Sequence, residues 1–191
     1  MNIQNLNLVD KVIELAKKFG SVDTEVVISK ISETTVEARR GNIEFSNVSD
    51  NCSISLRVID NKKTALVSTT SKDEKSLKSL VIKATEIAKN SLENPYDVLA
   101  QKNQFADNLK NKNLEIFDHK TDDFSNTSIF EELAITADKA SCQNDKISNT
   151  DGSSAGCSTS DFILCTSNGF KNGYKRSSFY ISSSAIASHK N

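Results

Sequence analysis

The segment Gly152-Ser-Ser-Ala-Gly156 carries the sharpest chemical motif in the sequence. It fits the G-x-S-x-G pattern, in which a strand-to-helix turn exposes a serine hydroxyl beside backbone donors for an oxyanion. Ser154 would be the nucleophile, His189 its base, and Asp161 the residue that orients the base. Residues 158–165 alternate like a strand and not like a helix, so the pattern favours a turn of small residues between strands over a serine hydrolase.

Four cysteines and two histidines could in principle hold a transition metal: Cys52, Cys142, Cys157, Cys165, His119 and His189. A tetrahedral zinc site usually takes its ligands in closely spaced pairs, because one bend of the backbone then presents two of them. No C-x-x-C pair occurs, and the two histidines are seventy positions apart. We therefore expect reduced, mostly buried thiols, histidines on the surface, and neither a metal site nor a bound cofactor in this chain.

Two carboxylate pairs, Asp122-Asp123 and Glu131-Glu132, could serve general acid–base chemistry. Such chemistry needs one carboxyl group in an apolar setting that raises its pKa, and we expect neither pair to lie in one. The first pair lies in a polar connector. The second lies in the first turn of a predicted helix, where acidic residues oppose the helix dipole. We predict no catalytic residue here.

Basic and aromatic residues interleave near the carboxyl end: Phe170, Lys171, Tyr174, Lys175, Arg176 and Phe179. Such a pattern could stack on and neutralise single-stranded nucleic acid. Three cations beside a hairpin turn are more typical of a solvated strand face, so we do not expect nucleic acid as a partner. Neither a P-loop nor a G-x-G-x-x-G motif occurs, so no nucleotide cofactor is predicted.

The overall composition excludes several classes of protein. The 191 residues carry 24 basic and 25 acidic side chains, a formal net charge of −1 that does not suit a protein built to hold nucleic acid or anionic membrane. No apolar run approaches the ~18 residues of a membrane span. No basic segment precedes an apolar one near Met1, so we expect a cytoplasmic protein.

Three segments have the periodicity of amphipathic helices. The first would be capped by Asn7 and end at Gly20, with an apolar face of Val9, Val12, Ile13, Ala16 and Phe19. The second would begin at Ser71 with a capping box to Glu74, end before Pro95, and bury Leu77, Leu80, Val81, Ala84, Ile87 and Ala88. The third would begin at Ser128, again with a capping box to Glu131, and bury Phe130, Leu133, Ala134 and Ala137.

Alternating residues predict antiparallel strands between and after these helices. Apolar positions recur in pairs at Val26 and Ile28, at Val36 and Ala38, and at Ile43 and Phe45, with a turn at residues 40–42. Cys52, Ile54, Leu56 and Val58 repeat with period two, and a turn at Asp60-Asn61 leads into Ala65 and Val67 as a hairpin. In the serine-rich segment after Cys142, alternating aromatic residues around Asn168-Gly169 predict a second hairpin.

The predicted elements make an α+β fold, in which mostly antiparallel strands pack against about three helices. Along the chain we distinguish residues 1–95, with helix, strands and second helix, from an irregular connector over 96–125 with a short helical turn at residues 98–101. Residues 126–191 would follow as a helix and serine-rich strands. All three parts would belong to one continuous domain.

Several segments together resemble the amino-terminal half of the TldD/PmbA family. They are Glu37-Ala-Arg-Arg-Gly-Asn-Ile-Glu44, Ser53-Ile-Ser-Leu-Arg57-Val-Ile-Asp60, Ala65-Leu-Val-Ser-Thr-Thr70, Asn94-Pro-Tyr96, Ser148-Asn-Thr-Asp-Gly152, Thr166-Ser-Asn-Gly-Phe170 and Tyr174-Lys-Arg-Ser-Ser-Phe179. The segment at Ser148 is more similar to the PmbA (TldE) branch. The stretch Asn51-Cys52-Ser53 departs from the family, which usually has a small flexible residue before the arginine strand.

The resemblance implies a zinc metallopeptidase system that trims unstructured peptides, in which a TldD-type subunit is partnered by a PmbA-type one. In the TldD branch the zinc ligands come from an H-E-x-x-x-H helix in the second half, plus a later cysteine. No such helix is present in this sequence, so no catalytic or metal-binding residue can be transferred to it. The chain would be a non-catalytic portion that lines a peptide-admitting cavity, holds extended peptide along a strand edge, and binds a TldD-type subunit or a separate carboxy-terminal half.

An alternative from another class is a stand-alone binding module, or the remnant of a truncated gene, without a peptidase role. An independent domain should close its own core, whereas a half should leave an apolar surface exposed. Phe179, Ile181 and Ile186 are the residues expected to form such a surface.

Overall fold

The computed structural model describes residues 3–21, 23–106, 114–123 and 127–188. Within these residues, three α-helices and five strands follow one another in the order α1 (Ile3–Lys18), β1 (Asp23–Arg39), β2 (Asn42–Asp60), β3 (Lys63–Thr69), α2 (Glu74–Asn90), α3 (Ser128–Ser141), β4 (Ile147–Thr166) and β5 (Lys171–Ala187). The strands form one sheet in the order β3-β2-β1-β4-β5. The predicted α+β class with antiparallel strands and about three helices is therefore confirmed.

Contacts divide the chain into two compact units that are interleaved in sequence. Unit 1 comprises Met1–Lys30, Asn51–Leu114 and Asp161–Lys175; unit 2 comprises Ile31–Asp50, Glu115–Ser160 and Arg176–Asn191. Strands β1, β2, β4 and β5 each contribute residues to both units. The order 1–95, 96–125 and 126–191 remains a prediction about the chain, and each unit is described by itself below.

The core of unit 1 lies between the sheet and helices α1 and α2. Alternate strand residues meet apolar helix faces there, as their periodicity predicted. The buried cluster contains Val9, Val12, Ile13, Ala16, Val26, Ile28, Ile54, Leu56, Val58, Ala65, Leu77, Leu80, Val81, Ala84, Ala88, Ile163 and Cys165. Burial of this apolar surface is the main stabilising contribution to unit 1.

The two helices of unit 1 begin at residues other than those predicted. Helix α1 begins at Ile3, so Asn7 lies inside it and does not cap it. Helix α2 begins after Asp73, whose carboxylate accepts the Ser76 N–H at 2.8 Å, so Ser71 is not the N-cap. An aspartate closer to the first turn takes the position because its charged oxygens are stronger acceptors than a hydroxyl. Ile87 of α2 is exposed, contrary to the prediction.

The predicted ends of both helices are confirmed. Gly20, at φ +88°, donates its N–H to Lys17 O, while Ser21 donates to Ala16 O at 2.9 Å. This pair of bonds is the Schellman arrangement, which places a glycine in the left-handed region just after a helix. Helix α2 ends at Asn90, well before Pro95.

The described part of the connector after α2 holds two short 3₁₀ turns. The helical turn predicted for residues 98–101 is wrong in position, because the first 3₁₀ turn spans Lys102–Gln104. In unit 1 the connector begins beside the β2–β3 turn, where Asn94 N–H donates to Lys62 O, and reaches the β4–β5 turn, where Asn168 Nδ2 donates to Ala100 O. The second 3₁₀ turn, His119–Asp123, belongs to unit 2.

Unit 2 has a smaller core beneath α3. It consists of Val36, Ala38, Phe130, Ala134, Ala155 and Cys157. The helix begins after Thr127, whose hydroxyl bonds to the Glu131 carboxylate at 2.7 Å, so the predicted capping box from Ser128 is absent. Ala137 is only half-buried and Leu133 is exposed. In their place, Asp138 is the third residue of α3 that is buried.

The three hairpin turns that were predicted at residues 40–42, Asp60-Asn61 and Asn168-Gly169 form. Arg40 and Gly41 both have positive φ between β1 and β2, as a two-residue type I′ turn requires. Asn61 and Lys62 do the same between β2 and β3, and the pairing of Val58 with Ala65 and of Leu56 with Val67 confirms the predicted hairpin. Gly169, at φ +103°, turns β4 into β5. Within the described ranges, no helix is long and apolar enough to cross a membrane.

Candidate functional site

The sheet of unit 1 has a second face, opposite the one that packs against α1 and α2. Because strand side chains alternate, the neighbours of the buried core residues point to it. Glu25 lies there next to buried Val26, and Arg57 lies between buried Leu56 and Val58. On β3, Leu66 is paired directly with Arg57 and belongs to the same face. We call this surface, with Glu25, Ser55, Arg57, Leu66, Ser68, Phe162 and Tyr174, the second face.

An ion pair occupies the second face. Arg57 Nη2 lies 3.4 Å from Glu25 Oε2, and the two side chains are 29% and 28% exposed. Arg57 Nε is buried and has no hydrogen-bond partner among the described residues. A guanidinium group has five N–H donors, of which this one long contact uses a single nitrogen. The pair therefore offers both a donor and an acceptor to an incoming polar group without a net charge.

The outer part of this face is the edge strand β3. Leu66 is 68% exposed there, and beside it the hydroxyls of Ser55 and Ser68 are 2.8 Å apart. The chain itself covers the start of the edge, because Lys63 pairs with Glu93 in an antiparallel bridge. Among the described residues, no loop backbone hydrogen-bonds to residues 65–69. The open remainder of β3 can therefore accept an extended segment through backbone hydrogen bonds.

Aromatic residues line the other side of the second face. Phe162 of β4 and Tyr174 of β5 pack with ring centroids 5.4 Å apart. Gly173 allows the two strands to approach, since a Cβ on it would lie closer to Phe162 O than the 3.0 Å that real side chains keep. Phe105 packs edge-on against Phe170 at 5.1 Å and ties the connector to this end of the sheet.

The serine motif does not form a nucleophile elbow. Residues 152–156 lie inside β4, which continues as a strand to Thr166, so the turn predicted between strands is wrong as well. Gly152, at φ +97°, is a kink within the strand. Ser154 Oγ bonds to Ser182 Oγ at 2.7 Å and contacts no imidazole among the described residues, while His189 lies outside those residues.

The basic residues of β5 make specific contacts within the protein. Lys171 Nζ binds both carboxylate oxygens of Asp10 in α1, at 2.8 and 2.9 Å, and this bond raises the pKa of the lysine. Arg176 Nε donates to Ser160 Oγ at 3.1 Å. Lys171 and Arg176, which the sequence analysis considered as part of a nucleic-acid surface, thus bind groups of the protein itself.

The potential metal ligands are spread over the chain. The described residues contain no group of three or more His, Cys, Asp or Glu that could hold a metal ion, so they do not fit a zinc site. Cys157 and Cys165 are buried and Cys142 is exposed; burial raises the pKa of Cys165 to about 11. His119 packs edge-on against Phe117 at 5.0 Å.

The carboxylate pairs lie at helix starts and ends. Asp122 and Asp123 end the second 3₁₀ turn, and their side chains lie outside the described part. Glu131 accepts the Thr127 hydroxyl, and Glu132 is exposed. The pKa values of the Asp73 and Glu74 carboxyl groups are lowered, by hydrogen bonds from the Ser71 hydroxyl and from Lys11 respectively.

Comparison with known proteins identifies the fold just described. Two sequence models match in tandem: PmbA/TldA metallopeptidase domain 1 over residues 24–88, and the PmbA/TldA metallopeptidase central domain over residues 119–191. The chain belongs to the PmbA/TldD family. The first of these matches contains nearly all of β1, the whole of β2 and β3, and most of α2. It therefore includes both Glu25 and Arg57 of this PmbA/TldD chain.

A curated relative extends the match. The metalloprotease PmbA homolog of Haemophilus influenzae is 29% identical over 175 residues, which are 91% of this chain but 38% of that protein. The PmbA/TldD chain thus spans well under half the length of this relative.

Solved structures share the fold at low sequence identity. A candidate modulator of DNA gyrase from Bacteroides thetaiotaomicron superposes with a TM-score of 0.87 at 20% identity, covering 100% of this chain and 43% of the other. TldE from Thermococcus kodakarensis gives a TM-score of 0.77 at 15% identity, covering 95% and 40%.

Sequence reasoning did not find the Arg57–Glu25 pair or the second face. A polar residue that alternates with core residues is ordinarily assigned to solvent, which is why Arg57 was noted only as part of a family segment. A signal was nevertheless present in the sequence. Glu25 precedes the core residue Val26 and Arg57 follows the core residue Leu56, so each of two predicted strands carries one charged residue of opposite sign next to its buried positions.

Proposed function

We propose that this chain is the non-catalytic amino-terminal portion of a PmbA/TldD-like metallopeptidase system that processes unstructured peptides in the cytoplasm. The observation that supports it is the tandem match to two metallopeptidase-family domains, together with a curated relative named a metalloprotease. The zinc and its ligands would come from a partner, either a TldD-type subunit or a separate carboxy-terminal half.

The second face and the open part of β3 are where we place the peptide. An extended peptide added to residues 65–69 would continue the pattern that Glu93 begins at Lys63. Its alternate side chains would then lie beside exposed Leu66, on the face that also carries Arg57 and Glu25. Main-chain hydrogen bonds and one apolar contact select for an extended, unfolded chain and not for a sequence. Such recognition suits a system that trims unstructured peptides.

The test is to reconstitute the system and follow cleavage. A purified TldD-type zinc subunit is mixed with this chain, and cleavage of reduced, carboxymethylated ribonuclease A is compared with cleavage of native ribonuclease A. We expect cleavage of the unfolded substrate to rise several-fold when the chain is present, and native ribonuclease A to remain intact. Equal processing of folded and unfolded substrate would contradict the proposal.

Matched variants locate the peptide surface. Leu66→Asp places a charge on the β3 edge and should reduce the rise in cleavage that the chain causes. Leu92→Asp changes an apolar residue that is 92% exposed and should leave that rise unchanged. If the chain binds unfolded ribonuclease A but never alters its cleavage, the alternative of a stand-alone binding module is favoured. Equal loss in both variants would argue against the β3 edge.

A further inference from the structure

Arg57 lies at the centre of a row of three side chains that crosses the second face. Strand β2 lies between β3 and β1 in the sheet. Leu66 of β3 pairs directly with Arg57, and Glu25 of β1 contacts it from the opposite side. Neighbouring strands are about 4.8 Å apart, so a peptide added to β3 would lie about 10 Å from the backbone of Arg57, with only Leu66 between them.

The guanidinium group of Arg57 is held loosely. Among the described residues, its one hydrogen bond is the contact of 3.4 Å from Nη2 to Glu25 Oε2. A well-formed bond between an arginine and a carboxylate is shorter, at about 2.7–2.9 Å, and commonly uses two parallel N–H groups. Nε is buried and has no partner in the same part of the chain. The contact with Glu25 therefore leaves most of the donor capacity of Arg57 unused.

A carboxylate is the group that would use these donors best. Its two oxygens match the fork of the guanidinium group, and its charge allows it to compete with Glu25, which a neutral carbonyl group does not. An arginine side chain is long enough to extend past the neighbouring strand, so Arg57 can turn over Leu66 towards the peptide. Glu25 is 28% exposed, so water replaces the arginine there and no charge is left buried without a partner.

We propose that Arg57 turns away from Glu25 and binds a carboxylate of the extended peptide with two parallel hydrogen bonds. This inference rests on the proposed placement of the peptide along β3 and adds a charged contact to it. Every peptide chain ends in a carboxylate, so such a contact fixes where the peptide lies along β3 without selecting its sequence. An acidic side chain offers the same group at other positions of a peptide.

The test measures peptide binding to the full chain by fluorescence anisotropy, without a zinc subunit. Three peptides carry an amino-terminal rhodamine label and the neutral sequence Thr-Ser-Val-Ser-Thr-Val-Ser. The first ends in a free carboxylate, the second in an amide, and the third in an amide with glutamate in place of the last serine. We expect the free acid to bind about tenfold more tightly than the neutral amide, because a charged acceptor replaces a neutral one.

The third peptide distinguishes the two sources of the carboxylate. If it binds as tightly as the free acid, Arg57 accepts an acidic side chain as well as the chain end. If it binds only as weakly as the neutral amide, the contact is made by the chain end alone.

Variants of the two charged residues should change the affinity in opposite directions. Arg57→Gln should abolish the preference for the free acid, and Arg57→Lys, which keeps the charge but not the fork, should remove most of it. Glu25→Gln removes the competing carboxylate, so it should strengthen binding of the free acid several-fold and leave the neutral amide unchanged. Arg176→Gln removes an exposed cation of unit 2 and is the control that should behave like the wild type.

The outcomes separate this inference from the proposed function. Equal binding of all three peptides by the wild type would overturn the carboxylate contact while leaving the peptide site in place. Equal weakening of all three peptides by Arg57→Gln and Glu25→Gln would show that the pair is structural and would overturn it too. Failure of every peptide to bind would overturn the contact together with the placement at β3. A preference for the free acid that depends on Arg57, in a chain that never alters cleavage, would support this inference and contradict the proposed function.

Discussion

Asp138 of α3 accepts the backbone N–H of Gly41 at its Oδ2 atom, at 2.8 Å, and so joins the helix of unit 2 to the β1–β2 turn. The carboxylate is almost completely buried, at 1% exposure. The Thr150 hydroxyl lies 3.3 Å from Oδ1 but closer, at 2.9 Å, to Ser184 O, so the Gly41 amide is the main donor. Buried carboxylates are stable only when hydrogen bonds of this kind replace water.

Replacing Asp138 should therefore destabilise unit 2. We expect Asp138→Ala to cost about 1–3 kcal/mol in free energy of unfolding, because the Gly41 N–H loses a charged acceptor. Urea denaturation followed by circular dichroism measures this difference. Glu132→Ala, which removes an exposed acid from the same helix, should change the stability by much less. Equal effects in the two variants would show that the buried bond contributes little.

Gly156 allows Tyr180 to lie across β4 and reach Thr35, whose hydroxyl is 2.9 Å from the tyrosine oxygen. A Cβ at position 156 would lie 2.8 Å from that oxygen and closer still to Thr34 O. We expect Gly156→Ala to destabilise the protein by about 1–3 kcal/mol, because a backbone carbonyl cannot move aside. Thermal unfolding compares it with Ser154→Ala, two residues away.

A double variant separates the two clashes at Gly156. Tyr180→Ala removes the aromatic ring but leaves the carbonyl of Thr34 in place. The stability lost in Gly156→Ala should therefore not be recovered in the double variant. Full recovery would mean that the tyrosine alone requires glycine at this position.

The hairpin of β2 and β3 was predictable because its signals are local. Two runs with period two flank a turn pair, and these fix both the turn and the partners Val58 and Ala65. The amino-terminal part of β2 also forms where Ile43 and Phe45 alternate, but residues 42–50 are mostly exposed on both faces. Alternation there predicted the strand and not a buried face.

Gly152 shows a second limit of prediction. A glycine among small residues suits both a turn and a kinked strand, because each needs positive φ. Only the pairing of β4 with its neighbours decides between them.

The Arg57–Glu25 pair was unpredictable for the same reason. Its two residues are 32 positions apart, and they meet only through the register of β1 and β2.

Cys165 should make stability depend on pH in the alkaline range. Burial raises the pKa of its thiol from 9.0 to about 11, so the folded state favours the neutral form. The corresponding stabilisation is complete below pH 9 and is lost as the pH rises through about 11. The urea midpoint of the wild type should therefore fall over this range relative to that of Cys165→Val, which has no thiol to ionise. The exposed Cys142, changed to serine, provides the control and should follow the wild-type curve.

Asp73 should produce the opposite dependence at low pH. Hydrogen bonds from the Ser71 hydroxyl and from Ser76 hold the pKa of its carboxyl well below 3.8, so the folded state favours the charged form. Its stabilisation of α2 is present above pH 3.8 and is lost as the pH falls further. Asp73→Asn keeps an acceptor for the Ser76 N–H but carries no charge, so it should retain most of the helix stability without this pH dependence.

Asp73→Ala should lower the melting temperature at neutral pH, whereas Lys72→Ala, next to the cap, should not. A melting temperature of Asp73→Ala equal to that of wild type would show that the helix is held by its buried face alone.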